Sequence, residues 1–202
     1  MKKKLFLLTV LTMALPLAAL ADEVSYTSTG GTFTGTSSGY VLTNATLTQY
    51  TAVDGTTYSG SNLGTVSFST SPITAGNVII GSSFVAGGSM TITGNGTNGI
   101  PNGTLFTGTF EPGGTWGYQV QSDGSYLYTL NAQVTGQTGA GNSAAGTTTF
   151  SIDLKGIFPG YTYGGASGTD TVSLAVPEPG ELSLLGMGLV GLVGAIRRKI
   201  TC

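Results

Sequence analysis

Catalysis and metal binding draw on a short set of side chains, and this chain of 202 residues holds few of them. It has no histidine, one cysteine (Cys202) and nine carboxylates. Without histidine there is no base for a Ser-His-Asp hydrolase and no imidazole for zinc, and a lone thiol supplies neither a thiolate metal site nor a disulfide. Paired carboxylates of the glycosidase kind would have to come from Asp54, Glu111, Asp123, Asp153 or Asp170. Asp54 and Asp123 precede glycines in turn-like settings, and Asp153 alternates with apolar residues as a strand's polar face does. No D-x-D cluster offers the oxygen cage that calcium needs. The expectation is a protein with no catalytic residue, no metal and no cofactor, and therefore not an enzyme.

A different chemistry is written in "TWGYQVQSDGSYLYTLN", residues 115–131, which reads as two strands around Asp123-Gly124. A two-residue loop would set Ser122 opposite Ser125, Val120 opposite Leu127, Tyr118 opposite Thr129 and Trp116 opposite Asn131. That face reads as core. The other would hold Tyr126, Tyr128, Gln119 and Gln121, aromatic rings among amides, a surface suited to stacking sugar rings and bonding their hydroxyls. The competing reading buries both faces and leaves only the tyrosine hydroxyls at the rim.

The elements that would position this hairpin follow from alternation. Phe150, Ile152 and Leu154 alternate with Ser151 and Asp153; Val172, Leu174 and Val176 with Thr171, Ser173 and Ala175; Val66 with Phe68; Met90 with Ile92. Asp54-Gly55, Asn95-Gly96, Asn98-Gly99, Asn102-Gly103 and Asp123-Gly124 supply turns. No helical period is sustained between residues 22 and 176. The reading is an all-β ectodomain, an antiparallel two-sheet β-sandwich of about eight to ten strands from the turn spacing. The alternative is a β-helix, which wants a regular repeat that this sequence lacks.

Of these 155 residues 48 are Ser or Thr and 29 are Gly, and seven carboxylates face a single cation, Lys155. An acidic body of this kind excludes nucleic acid as a partner, since phosphate binding calls for clustered Lys and Arg. Asn44, Asn95 and Asn102 head N-x-T triplets, and turn formation accounts for the two Asn-Gly cases.

All other cations sit at the ends. Lys2, Lys3 and Lys4 precede an apolar run to Leu17 and then Ala19-Leu20-Ala21. This is the layout of a signal peptide over residues 1–21, with Ala19 and Ala21 forming the cleavage site before Asp22. At the other end, Arg197, Arg198 and Lys199 follow the apolar stretch 182–196. As a helix, 15 residues would reach about 22 Å, against about 30 Å of bilayer hydrocarbon. The expectation is a thin transmembrane helix with a basic stop, both ends facing the cytoplasm during insertion.

Pro177-Glu178-Pro179, the Gly-rich apolar stretch and Arg197-Arg198-Lys199, in that order, closely resemble the PEP-CTERM protein-sorting tail over residues 177–202. Ile200-Thr201-Cys202 is an addition to the pattern. The resemblance implies export in a Gram-negative, exopolysaccharide-producing bacterium and recognition by exosortase, a membrane cysteine protease and transpeptidase. It also implies a transient inner-membrane stage, then the cell surface or extracellular matrix, but it extends to no activity; the expectation for a body in that setting is a structural or adhesive role in exopolysaccharide or biofilm. Such tails sit on many unrelated ectodomains, so the body's role stays open between that and a carbohydrate-binding module for extracellular polysaccharide. The physics suits a protease substrate: each proline biases its predecessor away from the helical region, which keeps the segment extended beside the anchor.

Overall fold

The computed structural model describes residues 22–158, 162–164 and 169–176, with side chains from 24 to 158. The residues expected to form a signal peptide, 1–21, and a sorting tail, 177–202, lie outside the described set. Among the described residues no helix is long and apolar enough to cross a membrane. The chain divides into two compact units, and the body is the one spanning Glu23–Val176.

The body is all-β and antiparallel. Its strands are β1 (Asp22–Thr29), β2 (Thr32–Thr36), β3 (Gly39–Thr51), β4 (Thr57–Ser69), β5 (Ile73–Asn77), β6 (Gly81–Phe84) and β7 (Gly87–Asn95). After a 3-10 turn at Thr97–Gly99 come β8 (Asn102–Phe110), β9 (Gly114–Val120), β10 (Tyr126–Thr138), β11 (Ser143–Leu154), β12 (Thr162–Gly164) and β13 (Thr169–Val176). The expected alternation is present: Val66, Phe68, Met90, Ile92, Phe150, Ile152 and Leu154 are all buried, and Asp153 is exposed.

The expected division into two sheets is not found. One continuous sheet runs β11-β13-β1-β3-β4-β7-β8-β10-β9-β6-β5, with β2 attached at β3, β12 attached at β2 and a further pairing of β10 with β11. Two long strands make this possible by forking. β3 bonds β4 along one edge, while its other edge serves β2 over Gly39–Thr43 and β1 over Thr46–Thr51. β10 likewise bonds β11 along one edge, and on the other serves β9 over Tyr126–Asn131 and β8 over Val134–Thr138.

The forked branches face one another across an aromatic core. Phe33 of β2 stacks on Trp116 of β9 at 5.1 Å and on Phe150 of β11 at 4.8 Å, and Tyr40 of β3 lies 5.0 Å from Trp116. Offset and edge-to-face ring pairs of this kind contribute about 0.5–1.5 kcal/mol each beyond their area. In a chain with no disulfide available to the body, that packing carries the stability a cross-link would otherwise add. Phe84 of β6 sits directly opposite Gly114 of β9, and a Cβ at Gly114 would fall 2.2 Å from its ring. Only glycine leaves room there.

Burial also holds Tyr40 in its neutral form, pushing its hydroxyl up to about 12 despite a hydrogen bond with Ser82. Tyr50 and Tyr128 are raised for the same first reason, burial. The sign follows. Above the ordinary tyrosine value of 10.0 the unfolded chain loses protons that the folded chain keeps, so stability falls with rising pH. Denaturant midpoints measured against pH are expected to be insensitive to these tyrosines up to about pH 10 and to decline from there towards pH 12. A midpoint still flat through that window would mean that Tyr40 is hydrated. Gly114→Ala is expected to cost about 1–3 kcal/mol as overpacking against Phe84, read from the same titrations at neutral pH.

Candidate functional site

The hairpin of β9 and β10 is organised by its loop. Gln121 N–H donates to Ser125 O at 2.8 Å and Gly124 N–H to Gln121 O at 3.0 Å, while Gly124 takes φ +84°. Asp123 Oδ1 accepts the Ser125 N–H at 3.0 Å. That bond holds the fully exposed Asp123 carboxyl below its usual value. This is a three-residue loop, a turn closed by a left-handed glycine, and it sets Gln121 rather than Ser122 opposite Ser125.

That single residue corrects the expected site. Val120 pairs with Tyr126, Gln119 with Leu127, Tyr118 with Tyr128, Gly117 with Thr129, Trp116 with Leu130 and Thr115 with Asn131. Because side chains alternate with period two, a slip of one position moves a strand's whole set to the other face. Tyr126 and Tyr128 therefore share the inner face with Trp116, Tyr118 and Val120. Gln119 and Gln121 lie on the outer face. The four residues expected to form one aromatic-and-amide surface are split between two.

The inner face continues the core and opens at the hairpin tip. Tyr128 is fully buried, its ring stacked on Trp116 at 5.2 Å and tilted against Tyr118 at 5.3 Å. Its hydroxyl donates to Ile79 O at 3.0 Å and accepts the Phe158 N–H at 2.9 Å. Trp116 Nε1 donates to Val78 O at 2.8 Å. Toward the tip, Tyr126 is half-buried and Tyr118 and Val120 are exposed, at 39% and 63%.

The outer face carries a shallow cleft of about 330 Å³, lined by Thr115, Gly117, Gln119, Leu127, Thr129 and Asn131 beside Trp116 and Tyr118. Thr149 donates to Asn131 Oδ1 at 2.9 Å, which leaves the Asn131 amide N–H groups directed elsewhere. Half-buried Leu127 gives the cleft an apolar floor between an exposed amide at Gln119 and the hydroxyl of Thr129. The arrangement offers amide, hydroxyl and apolar groups of the kind that contact neutral, hydroxyl-bearing ligands, and Asp153 stands opposite Leu127 on β11.

The other carboxylates are scattered. Asp54 caps the 52–56 loop by accepting the Thr56 N–H, Glu111 accepts the Thr135 hydroxyl, and no group of three or more metal-ligating side chains forms among the described residues. Asp170 belongs to β13, whose side chains are outside the described set, as are Ala19, Ala21, Pro177, Glu178, Pro179, Arg197, Arg198 and Lys199. Comparison with protein-family models, with curated proteins and with solved structures finds no match to this chain.

Sequence reasoning missed Asn131 and Thr129 as outer groups and Phe158 as a partner of Tyr128. The first two follow from loop length. The third spans 30 residues and leaves no local signal.

Trp116→Ala is expected to cost about 3–5 kcal/mol as a core truncation. Tyr128→Phe removes one hydroxyl but strands the Ile79 carbonyl and the Phe158 N–H, and should cost about 1–3 kcal/mol. Gln119→Ala should stay within about 0.5 kcal/mol of the parent. Urea denaturation of the three variants tests the ordering; a Tyr128→Phe protein as stable as the parent would return that face to solvent.

Proposed function

We propose that this protein is an exported exosortase substrate whose β body serves a structural or adhesive role at the cell surface or in the extracellular polysaccharide matrix. The reading rests on the tail's three-part sequence and on one observation about the body: β13 ends at Val176, and Pro177-Glu178-Pro179 begins at the next residue. Proline cannot donate to a ladder, so the strand stops where the extended motif starts. A folded body joined to its sorting motif without a linker suits a carrier that delivers the domain and then releases it. In this reading the inner membrane is a transient station, exosortase the processing partner and exopolysaccharide the surrounding medium.

The outer surface is consistent with a wet, polymer-filled setting. Hydroxyls pair across strands, as Thr65 with Thr93 at 2.7 Å, Ser69 with Ser89 at 3.2 Å and Thr51 with Thr57 at 3.1 Å. Such rows give a hydrated face with few charges, one that meets a neutral glycan without electrostatic penalty.

The second reading, a carbohydrate-binding module, is favoured by the cleft of Gln119, Leu127, Thr129 and Asn131. The double variant Gln119→Ala/Asn131→Ala separates the two. A module loses at least tenfold in affinity for the producer's exopolysaccharide, about 1.4 kcal/mol or more, whereas a scaffold that acts through its whole surface is unaffected.

Processing gives the direct test of sorting. Intact mass of the surface form is expected to show loss of residues 182–202; a form still carrying Cys202 in cells with active exosortase would overturn the proposal. About ten Gly/Ser residues inserted between Val176 and Pro177 would add a reach of roughly 16–19 Å. Pulse-chase labelling should then show faster tail removal, because protease access is limited by the body's last strand. Unchanged or slower removal would mean that the enzyme reads the folded body itself.

A further inference from the structure

Three of the chain's nine tyrosines meet near the hairpin tip, on the inner face of β9 and β10. Tyr118 stands directly opposite Tyr128, and Tyr126, two positions nearer the loop, is its diagonal neighbour. Diagonal neighbours on one face of an antiparallel pair are within reach of each other's rings. The ring centroids of Tyr118 and Tyr126 lie 5.5 Å apart, with the planes inclined at 54°. Tyr128, itself stacked on Trp116, packs against Tyr118 from the core side and holds that ring in place.

Their surroundings set the three apart. Tyr118 is exposed and Tyr126 half-buried, and neither hydroxyl bonds another group among the described residues. A phenol that loses an electron also loses its proton, and an accessible hydroxyl can pass that proton to solvent. The ring carbons beside the hydroxyl then share the unpaired electron, and two such rings in contact join through them. Tyr128 is fully buried, and its hydroxyl is committed to Ile79 O and the Phe158 N–H. The Ile79 carbonyl is no base for its proton. Tyr50 and Tyr58 also meet, but at 6.3 Å with nearly parallel planes, and Tyr50 is buried.

We propose that Tyr118 and Tyr126 are a site of oxidative modification, where a carbon–carbon bond between the two rings joins β9 to β10. The oxidant is hydrogen peroxide acting through a haem peroxidase. Each phenol yields one electron and one proton, and the two radicals couple at carbons ortho to their hydroxyls. The hydrogens on those carbons pass to the phenol oxygens as the rings regain aromaticity. Peroxide takes up the two electrons and two protons and leaves as two waters. The chain thus loses two hydrogen atoms and keeps both hydroxyls. With no cysteine in the body, the bridge ties two strands where a disulfide is not available. The inference goes beyond the proposed function and stands under either of its readings.

Asp123 lies between the two tyrosines, so a protease that cuts before aspartate separates them unless they are joined. The full chain in detergent, kept dilute, is treated with hydrogen peroxide and a haem peroxidase, then unfolded and cleaved. The expected product is a monomer lighter by two hydrogens, whose segments 54–122 and 123–152 stay linked and carry the blue fluorescence of coupled tyrosines. Tyr118→Phe and Tyr126→Phe each keep the ring and remove the phenol, and should cut the linked yield at least tenfold with circular dichroism unchanged. Tyr58→Phe, on the same segment as Tyr118, should leave the yield as it is. Absence of linked segments, linkage that survives in Tyr126→Phe, linkage lost in Tyr58→Phe, or covalent dimers as the main product would each overturn the proposal.

Discussion

The fold depends on a five-residue backbone device used three times. In the loops 52–56, 121–125 and 138–142 the first N–H bonds the fifth carbonyl and the fourth N–H bonds the first carbonyl. The fourth residue is glycine each time, with φ of +78°, +84° and +84°. An L side chain at that left-handed position is strained, so glycine fixes the loop length and the loop fixes the register. The fifth N–H is bonded by Asp54 and Asp123 in the first two loops, and in the third by the Thr138 hydroxyl at 3.2 Å. Each hairpin's choice of inner and outer face descends from this geometry. One residue more or fewer would turn Trp116 outward and Gln119 inward.

With register set, the rest is a question of covering a large aromatic core with few charges. The forked strands β3 and β10 accomplish this. Each is 13 residues long, enough to serve two partners on one edge, and so β2 and β9 can part from the strands that share those edges, β1 and β8, and close over the rings. Small side chains make the closure possible. At Gly114 the Phe84 ring lies where a Cβ would be, and at Gly136 the Thr107 carbonyl does so at 2.0 Å. Outside, hydroxyl pairs replace the salt bridges of an ordinary surface. The high Gly, Ser and Thr content is therefore structural: Gly for close approach and loop closure, Ser and Thr for an outer face that is hydrated with few charges.

Much of this was legible in sequence. Phe150, Ile152 and Leu154, Val66 and Phe68, and Met90 and Ile92 declared their strands and faces through a period that needs no partner to be read. Asp54-Gly55 and Asp123-Gly124 declared their turns. What they did not declare was the count: Asp-Gly fits a two-residue loop and a three-residue loop equally, and the difference lies in hydrogen bonds rather than composition. Tyr126 and Tyr128 were misplaced by that ambiguity alone. The loop at 138–142 has no Asp-Gly and gave no signal. Forking was illegible for another reason, since a strand's edges carry no side-chain pattern and pairing over 20 or more residues is decided by the whole core. Nor could the sequence show that Tyr128 ties Ile79 to Phe158.

The order of strands ties folding to export on the proposed reading. β1, the first strand, and β13, the last, are neighbours in the sheet, and β13 also bonds β11 along Ser151 to Ala145. A sheet whose first and last strands adjoin cannot be completed until both have crossed the membrane. Contacts that distant in sequence form slowly, because loop closure must precede the energy they return. The body therefore reaches its final packing only when Val176 has emerged, at which point the next residue is Pro177. Completion of the fold and presentation of the sorting motif become one event in space. A body left incomplete would leave β1 and β11 with unpaired edges, open to misplaced strands. On the proposed reading, an anchor that held the chain at the membrane until β13 was seated would keep those edges apart from other copies.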